Sequence, residues 1–253
     1  MAETATDTAI QIFERALDEL PDSERVRFWW RDDDAIAPTP QLERLLQLSA
    51  GLEVPLNLAV IPGALNPSLV DCLSGQPQVT VLVHGWTHTN HSSDEHSNCE
   101  FPLTRPVAET KVELTNALST LRQAFGEQCV PVFVPPWNVF PSELEPILSE
   151  LGYGGISLGT EGIHAVAFQE NGLVRADINM EPLNWNTLGL ENVAASARAF
   201  ARRLRQGSQG SFGVLTHHLI HNRDIWEFCE RFWRMVSSHE RAEVVSARTI
   251  FSL

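Results

Sequence analysis

The stretch VTVLVHGWTH, residues 79–88, joins a run of apolar residues to two histidines four positions apart. A short continuous run of β-branched and leucine residues is typical of a buried strand, here predicted over 78–84. His84 stands at the carboxyl end of that strand, and His88 follows in the next loop. The stretch therefore predicts a strand of a buried sheet and places imidazoles at its end.

Similar runs recur along the chain, and helical patterns separate most of them. The other predicted strands are 25–30, 55–61, 130–135, 154–158, 172–178, 211–217 and 242–246. The predicted helices are 7–20, 40–49, 66–73, 107–125, 141–151, 190–206 and 222–238. This alternation is typical of βα units around a parallel sheet.

The number of strands favours one class of α/β fold. Seven or eight strands in 253 residues predict an irregular (β/α) barrel, formed by a single domain over 1–253. An open doubly wound sheet is the alternative, but no glycine-rich phosphate-binding motif follows the first strand.

Composition and charge exclude several classes of function. With 32 acidic and 18 basic residues the formal net charge is −14, which disfavours nucleic acid and anionic membrane surfaces as partners. The amino-terminal residues lack the pattern of a secretory signal, and no apolar stretch approaches a membrane span. We expect a cytoplasmic protein that acts on a small molecule or a carbohydrate. The four cysteines form no C-x-x-C pair, which favours reduced thiols.

Polar or aromatic side chains end five of the predicted strands. They are Asp32, Asp33 and Asp34, then His84, then Trp137 and Asn138, then Asp177, and finally His217 and His218. In a (β/α) barrel these ends share one mouth, so we expect the side chains to converge there. Carboxylate and imidazole together suit Zn²⁺ or a neighbouring first-row ion.

Each element of this set also has a purely structural interpretation. The three aspartates could cap a helix or form a solvated turn, and HHLIH (217–221) could satisfy hydrogen bonds in the core. Most tryptophans are core residues, so Trp86, Trp137 and Trp185 could be too. We expect structural or solvent-exposed roles for the remaining loop histidines, which are His91, His96, His164 and His239.

Five motifs, taken in order, resemble the polysaccharide deacetylase family. They are DDDA (32–35), HGWTH (84–88), VPPWN (134–138), ADINMEPLNW (176–185) and VLTHH (214–218). Members of that family are metal-dependent carbohydrate esterases that remove acetyl groups from chitin-like polymers and peptidoglycan. The resemblance implies a metal-dependent hydrolase that removes an acyl group from an amino sugar or polysaccharide-like substrate, breaking a non-peptide C–N bond.

The resemblance also implies roles for individual residues. Asp34, His84 and His88 correspond to the ligands of a divalent ion, most simply Zn²⁺. Asp33 corresponds to the general base and His217 to the general acid. The remaining candidates for substrate binding are Trp86, Pro136, Trp137, Asn138, Asp177 and His218, with backbone N–H groups of 135–138 at the oxyanion.

Two assignments stay open at this stage. The triple aspartate can be read one residue earlier, with Asp32 as base and Asp33 as ligand. His218 can replace His217 as the acid, because successive strand residues face opposite sides and only one enters the mouth.

The chain departs from the family pattern at four positions, which are Ala35, Gly85, Val134 and Asn138. Val134 stands where the family has an arginine that supports the base, and its loss predicts a base without its orienting partner. Two alternatives follow, which are a hydrolase of small non-sugar amides on the same scaffold and a non-catalytic protein that binds a metal or a ligand.

Overall fold

The computed structural model describes residues 4–93, 97–159, 168–170, 172–207 and 210–253. The helices are α1 (Ala5–Asp18), α2 (Pro40–Gly51), α3 (Pro67–Leu73), α4 (Val107–Phe125), α5 (Glu145–Glu150), α6 (Val193–Arg205), α7 (Arg223–Ser238) and α8 (Ala247–Ile250). The longer strands are β1 (Val26–Ala35), β2 (Leu56–Val60), β3 (Val79–His84), β4 (Cys129–Val134) and β11 (Phe212–Thr216). The shorter strands are β5 (Gly155–Ile156), β6 (Phe168–Glu170), β7 (Leu173–Arg175), β8 (Ile178–Met180), β9 (Leu183–Asn184), β10 (Gly189–Leu190) and β12 (Ala242–Val244).

Eight parallel strands form one curled sheet in the order β7-β5-β4-β3-β2-β1-β11-β8. Strands β7 and β8 are successive parts of the segment 173–180, which pairs with β5 on one side and with β11 on the other. A further bridge joins Gly159, after β5, to Ile178 in β8. The two ends of the sheet therefore meet along this segment. The predicted α/β barrel, irregular and built from seven or eight strands, is confirmed.

The apolar side chains form two layers on opposite faces of the sheet. The outer layer packs the sheet against the helices and includes Phe28 and Trp30 of β1, with Trp30 stacked on Trp233 of α7 at 5.0 Å between ring centroids. The inner layer includes Trp29 of β1 and Phe251, which follows α8. Side chains of β1 thus alternate between the barrel interior and the helical layer, as the pleat of a strand requires.

Strand β1 continues past its predicted end at residue 30 to Ala35, so the three aspartates lie on the strand itself. The apolar pattern predicts a strand end at residue 30, because charged residues are seldom buried without partners. Arg31, Asp32 and Asp33 are 0%, 0% and 3% exposed, and each has a charged partner close by. Within the described ranges, no helix is both long enough and apolar enough to cross a membrane.

Candidate active site

Asp34, His84 and His88 meet at the carboxyl ends of β1 and β3. His84 Nε2 lies 3.0 Å and His88 Nε2 3.4 Å from the same Asp34 oxygen, Oδ1. One ligand atom from each residue lies within 4.8 Å of the others. The structure therefore brings together the three residues that the sequence nominates as metal ligands.

Two residues of this trio have left-handed backbone conformations. Asp34 has φ 73° and His88 has φ 59°, and such values are uncommon outside glycine. The pairing of β1 with β2 also shifts register between Asp32 and Ala35. Regular alternation would turn Asp34 away from the barrel interior if Asp33 faces it. Because the backbone is irregular here, the side chains of Asp33 and Asp34 both lie at the same end of the barrel.

The hydrogen bonds of His84 identify the atom that can bind a cation. Its Nδ1 lies 3.0 Å from the carbonyl oxygen of Val134, which can only accept, so Nδ1 carries the proton. Nε2 then faces the Asp34 carboxylate at 3.0 Å, and a favourable contact there requires either a second proton or a cation. The donor set of one carboxylate and two imidazole nitrogens fits a zinc ion.

The charges of the cluster agree with this arrangement. Burial raises the pKa of Asp34, but the hydrogen bond from His84 and the charges of the nearby histidines outweigh burial and hold that pKa well below its usual range. Burial lowers the pKa of His84, yet Asp33 and Asp34 together raise it. Burial and His84 lower the pKa of His88. The lowered pKa keeps Asp34 ionised at neutral pH, which is the form of a carboxylate that binds a cation.

Asp33 forms a buried ion pair with Arg31, two residues earlier on the same face of β1. Arg31 Nε lies 2.9 Å from Asp33 Oδ1, and Arg31 Nη2 donates to Asp33 Oδ2 at 2.9 Å. Arg31 also donates to Ser157 Oγ at 2.8 Å and to Asn138 Oδ1 at 2.5 Å. The hydrogen bond from Nη2 and the ion-pair contact of Nε hold the carboxylate beside the guanidinium, while Oδ1 accepts no hydrogen bond from the described residues.

The expectation that the base lacks an orienting partner is therefore wrong. Val134 does stand at the expected position, but Arg31 supplies a guanidinium from a different strand. The Val134 carbonyl instead binds His84 and the N–H of Gly85. Asn138, expected at the substrate, is bonded to Arg31.

Asp32 and His218 lie on the outer face of the sheet. Asp32 Oδ1 is 2.5 Å from His218 Nδ1, and Asp32 Oδ2 accepts from Thr216 Oγ1 at 2.6 Å. Trp30, a residue of the helical layer, also donates to Thr216. His218 is 1% exposed, so the expectation that it contacts substrate at the mouth is wrong. The reading of the motif with Asp33 and Asp34 at the mouth is the one that this geometry favours.

His217 faces the other way, toward the two mouth aspartates, and is 8% exposed. Its Nδ1 lies 2.9 Å from Glu181 Oε1. Burial lowers the pKa of His217, but Glu181, Asp33 and Asp34 outweigh burial and raise the pKa to about 9. The imidazole is therefore protonated at neutral pH.

Asp177 was expected at the substrate, beside this histidine. Its carboxylate bonds other groups instead. Its carboxylate accepts from the N–H of Leu158 at 3.0 Å and from Arg175 Nε at 2.9 Å, and it is 3% exposed. The expected role of Asp177 at the substrate is thus replaced by a structural one. Glu181, four residues later, partners the histidine instead.

Aromatic side chains flank the cluster on two sides. The ring of Trp137 lies 4.4 Å from that of His88 between centroids, and Trp137 has φ 56°. Trp185, 49% exposed, presents its ring edge-on to His217 at 4.8 Å and donates to Glu181 Oε1 at 2.9 Å. Trp86 is half-buried and packs against the outer core, while Pro136 is buried.

The loop histidines lie away from the trio where the structure describes them. The backbone N–H of His91 donates to the Cys99 carbonyl, and the side chain of His239 lies 3.2 Å from Asp18. His96 and His164 lie outside the described residues.

The sequence alone did not identify Arg31, Glu181 or Glu100 as residues of the site. Glu100 accepts hydrogen bonds from the loop between His84 and His88. The two-residue spacing of Arg31 and Asp33 on one strand was the available signal for Arg31. Glu181 and Trp185 lie within the fourth quoted motif, but no role is predicted for Glu181 from the sequence, and Trp185 is considered there only as a possible core residue.

Comparison with solved structures identifies chains of known structure that have a similar fold. No protein-family model matches the sequence, and a search of curated proteins finds no match. A protein of Mycobacterium smegmatis, assigned provisionally to the polysaccharide deacetylases, is similar with a TM-score of 0.69 and 16% identity, over 92% of this chain and 91% of that one.

Two further structures extend the comparison. A family 4 carbohydrate esterase of Streptomyces lividans, in complex with acetate, gives a TM-score of 0.52 at 15% identity, over 88% of this chain and 92% of its own. A family 4 pseudoenzyme of Bacillus anthracis gives 0.57 at 11% identity, over 91% of this chain and 66% of its own. The chain shares the fold of the polysaccharide deacetylases, which confirms the resemblance at the level of the fold.

Proposed function

We propose that the protein is a metal-dependent deacetylase that hydrolyses the acetamide of an amino sugar or a polysaccharide-like substrate. The observation that carries the proposal is that Asp33, paired with Arg31, and His217, paired with Glu181, accompany the Asp34, His84 and His88 trio at one end of the barrel. A base and an acid beside a cation-binding trio are the groups that acyl-amide hydrolysis needs. Solved structures with the same fold include an esterase in complex with acetate.

Asp34, His84 and His88 would hold the divalent ion, and the nitrogen-rich donor set favours Zn²⁺. When bound, such an ion supplies Lewis acidity to the acyl carbonyl and to water. The Val134 carbonyl fixes the tautomer of His84 and so keeps Nε2 available as a ligand.

Asp33 is the proposed general base. Arg31 donates to Oδ2 and lies within ion-pair distance of Oδ1, so the orientation of the carboxylate is set before substrate arrives. In the reaction Asp33 would take a proton from the attacking water as the new carbon–oxygen bond forms.

His217 is the proposed general acid. Its pKa of about 9 means that it holds its proton at neutral pH and can deliver it to the leaving amine nitrogen as the carbon–nitrogen bond breaks. Glu181 orients the ring through Nδ1, which leaves Nε2 as the proton donor.

The third motif offers fewer oxyanion donors than its sequence range suggests. Pro135 and Pro136 have no N–H, and the N–H of Asn138 donates to the Pro135 carbonyl. The N–H of Trp137 is therefore the candidate donor to the oxyanion. The exposed face of Trp185 beside His217 suits stacking on a sugar ring.

Metal content and acetate release together test this proposal. We expect about one zinc ion per chain in the parent, and a large loss of metal in Asp34→Ala and His84→Ala. His239→Ala, on the surface away from the site, is the matched control and should keep the parent's metal content. Equal metal in all four proteins would contradict the ligand assignment.

The substrate class is tested on the zinc-loaded parent. Acetylated amino sugars and their oligomers should release acetate faster than small non-sugar acetamides. Faster hydrolysis of the non-sugar amides would favour the alternative substrate class. Full metal loading without hydrolysis of any substrate would favour a non-catalytic protein.

A further inference from the structure

The loop that joins His84 to His88 has two residues in the left-handed conformation, and only one of them is a glycine. Gly85 has φ 57° and His88 has φ 59°, so two of the four residues after β3 are left-handed. A positive φ is uncommon for any residue other than glycine, although histidine adopts it more readily than most, so contacts from the surroundings help to hold His88 there.

Glu100, twelve residues after His88, supplies those contacts from inside the protein. Its carboxylate accepts from the N–H of Trp86 at 3.0 Å and from the N–H and hydroxyl of Thr87 at 2.7 and 3.2 Å. A longer contact, 3.5 Å, reaches the N–H of Thr89. Glu100 is 1% exposed, so water does not compete for these donors. The loop thus wraps successive N–H groups around one buried anion, as backbone anion sites do.

Gly85 and Arg105 lie next to Glu100 and help to keep the loop and the carboxylate in contact. A Cβ atom on Gly85 would lie 2.0 Å from Glu100 Oε2 and 2.6 Å from Pro136 Cγ, so no larger residue fits at position 85. Arg105 donates to the Glu100 carbonyl at 3.1 Å and is itself bonded to both oxygens of Glu113. The loop therefore has a glycine where the family motif has serine or threonine, and a carboxylate from another segment holds it.

We propose that Glu100 is a positioning residue that holds the 85–89 loop in its left-handed form and thereby places the His88 ring beside Asp34 and His84. The inference rests on the proposed function insofar as His88 is taken to bind the ion. Glu100 is not one of the trio and acts through the backbone, accepting from the N–H groups on either side of His88.

The test compares Glu100→Gln with Glu230→Gln in the complete chain. Glutamine keeps the size of the side chain but replaces one acceptor oxygen with a donor that faces the loop N–H groups. Glu230, in an exposed pair with Arg234, is the matched control. Two readouts are needed, which are amide hydrogen exchange at residues 86 and 87 without metal, and Zn²⁺ affinity by competition with a chromophoric chelator.

We expect Glu100→Gln to exchange at residues 86 and 87 at least tenfold faster than the parent, and to bind Zn²⁺ about 10- to 100-fold more weakly. Glu230→Gln should match the parent in both. Unchanged exchange and unchanged affinity in a folded Glu100→Gln would overturn the proposal. Glu100→Asp, which keeps the charge but is shorter, is the second variant. Loss of the whole fold in both variants would also overturn it, since Glu100 would then be a general structural residue.

The exchange readout separates this inference from the proposed function. A parent that binds no Zn²⁺ contradicts the proposed function. Faster exchange in Glu100→Gln would still support the role of Glu100 in holding the loop, and unchanged exchange would still overturn it.

Discussion

Strand β1 carries three consecutive aspartates, and its two faces give them different surroundings. On the outer face Asp32 bonds His218 and Thr216 beneath the helical layer. On the inner face Asp33 bonds Arg31, and the irregular backbone at Asp34 brings that carboxylate to His84 and His88. The chemical type of the residue is the same in all three cases. Its role follows from the face of the strand on which it lies.

Strand β11 repeats the comparison with histidines. His217 faces the mouth and Glu181, whereas His218 points outward to Asp32. Asp32 and His218 on the outer face therefore link the ends of two neighbouring strands. Asp33 and His217 on the inner face lie at the mouth, where the proposed reaction takes place. This division predicts that inner substitutions reduce turnover and that outer ones reduce stability.

The largest expected effect is on turnover in Asp33→Asn. Asparagine keeps the shape of the side chain but cannot accept the proton of water, so kcat should fall by roughly 10²- to 10⁴-fold. Zinc content should stay at the parent's level, because Asp34 supplies the ligand oxygen. Steady-state kinetics with acetate detection measures the fall. Turnover within tenfold of the parent would remove Asp33 from the base role.

Arg31→Met removes the cationic partner of the Arg31–Asp33 ion pair. Asp33 would remain buried without its cation, which costs about 3–5 kcal/mol of the free energy of unfolding. Turnover should fall by about 10- to 100-fold with KM nearly unchanged, because the base loses its orientation and not its substrate. Denaturant unfolding and steady-state kinetics check the two effects.

Arg31→Lys should recover part of the turnover but not all of it, since lysine keeps the charge without the planar fork. Full turnover in Arg31→Met would mean that Arg31 does not orient Asp33 for catalysis and has only a structural role.

The sequence was sufficient for the fold and for the two histidines of the trio, but it left open which of the consecutive aspartates joins them. Apolar runs separated by helical periods locate the strands of the curled sheet, and the strand-end rule points to His84 and Asp34. The strand end at residue 30 was wrong because Arg31, Asp32 and Asp33 are buried as mutual or distant ion pairs. Pairing of this kind depends on tertiary structure, which local hydropathy does not contain.

The partners of the site residues were harder to predict. Arg31 could have been inferred from the alternation of β1, because it shares a face with Asp33. Glu181 and Glu100 come from loops whose positions depend on closure of the whole barrel. No spacing rule connects Glu100 with a histidine twelve residues earlier. The catalytic roles themselves stay predictions.

Asp32→Asn tests the outer face. The substitution removes the charge-assisted bond to His218 and should lower the free energy of unfolding by about 1.5–3 kcal/mol. Turnover should stay within about tenfold of the parent, since neither oxygen faces the mouth. Thermal or denaturant unfolding beside the kinetic assay measures both. A fall in turnover as large as that of Asp33→Asn, with stability unchanged, would reverse the assignment of the two faces.

The smallest expected effect is a shift in pH dependence in Glu181→Gln, which sharpens the contrast between the two histidines. Burial lowers the pKa of His217, but Glu181 and the two mouth aspartates raise it to about 9. The acid must be protonated, so parent activity should fall as pH rises through the pKa of His217, which a cation bound at Asp34 lowers from its metal-free value. Without the Glu181 charge that fall should begin at lower pH.

The stability of the fold should respond with the same sign. The pKa of His217 is higher in the folded protein than the ordinary value of 6.5, so its contribution is full below about pH 6.5 and is lost as pH rises through about 9. In Glu181→Gln this contribution should shrink, which urea unfolding at pH 6 and pH 9.5 measures. Identical pH profiles for parent and variant would show that Glu181 does not set the protonation of His217, and the raised pKa of His217 would then be due to Asp33 and Asp34 alone.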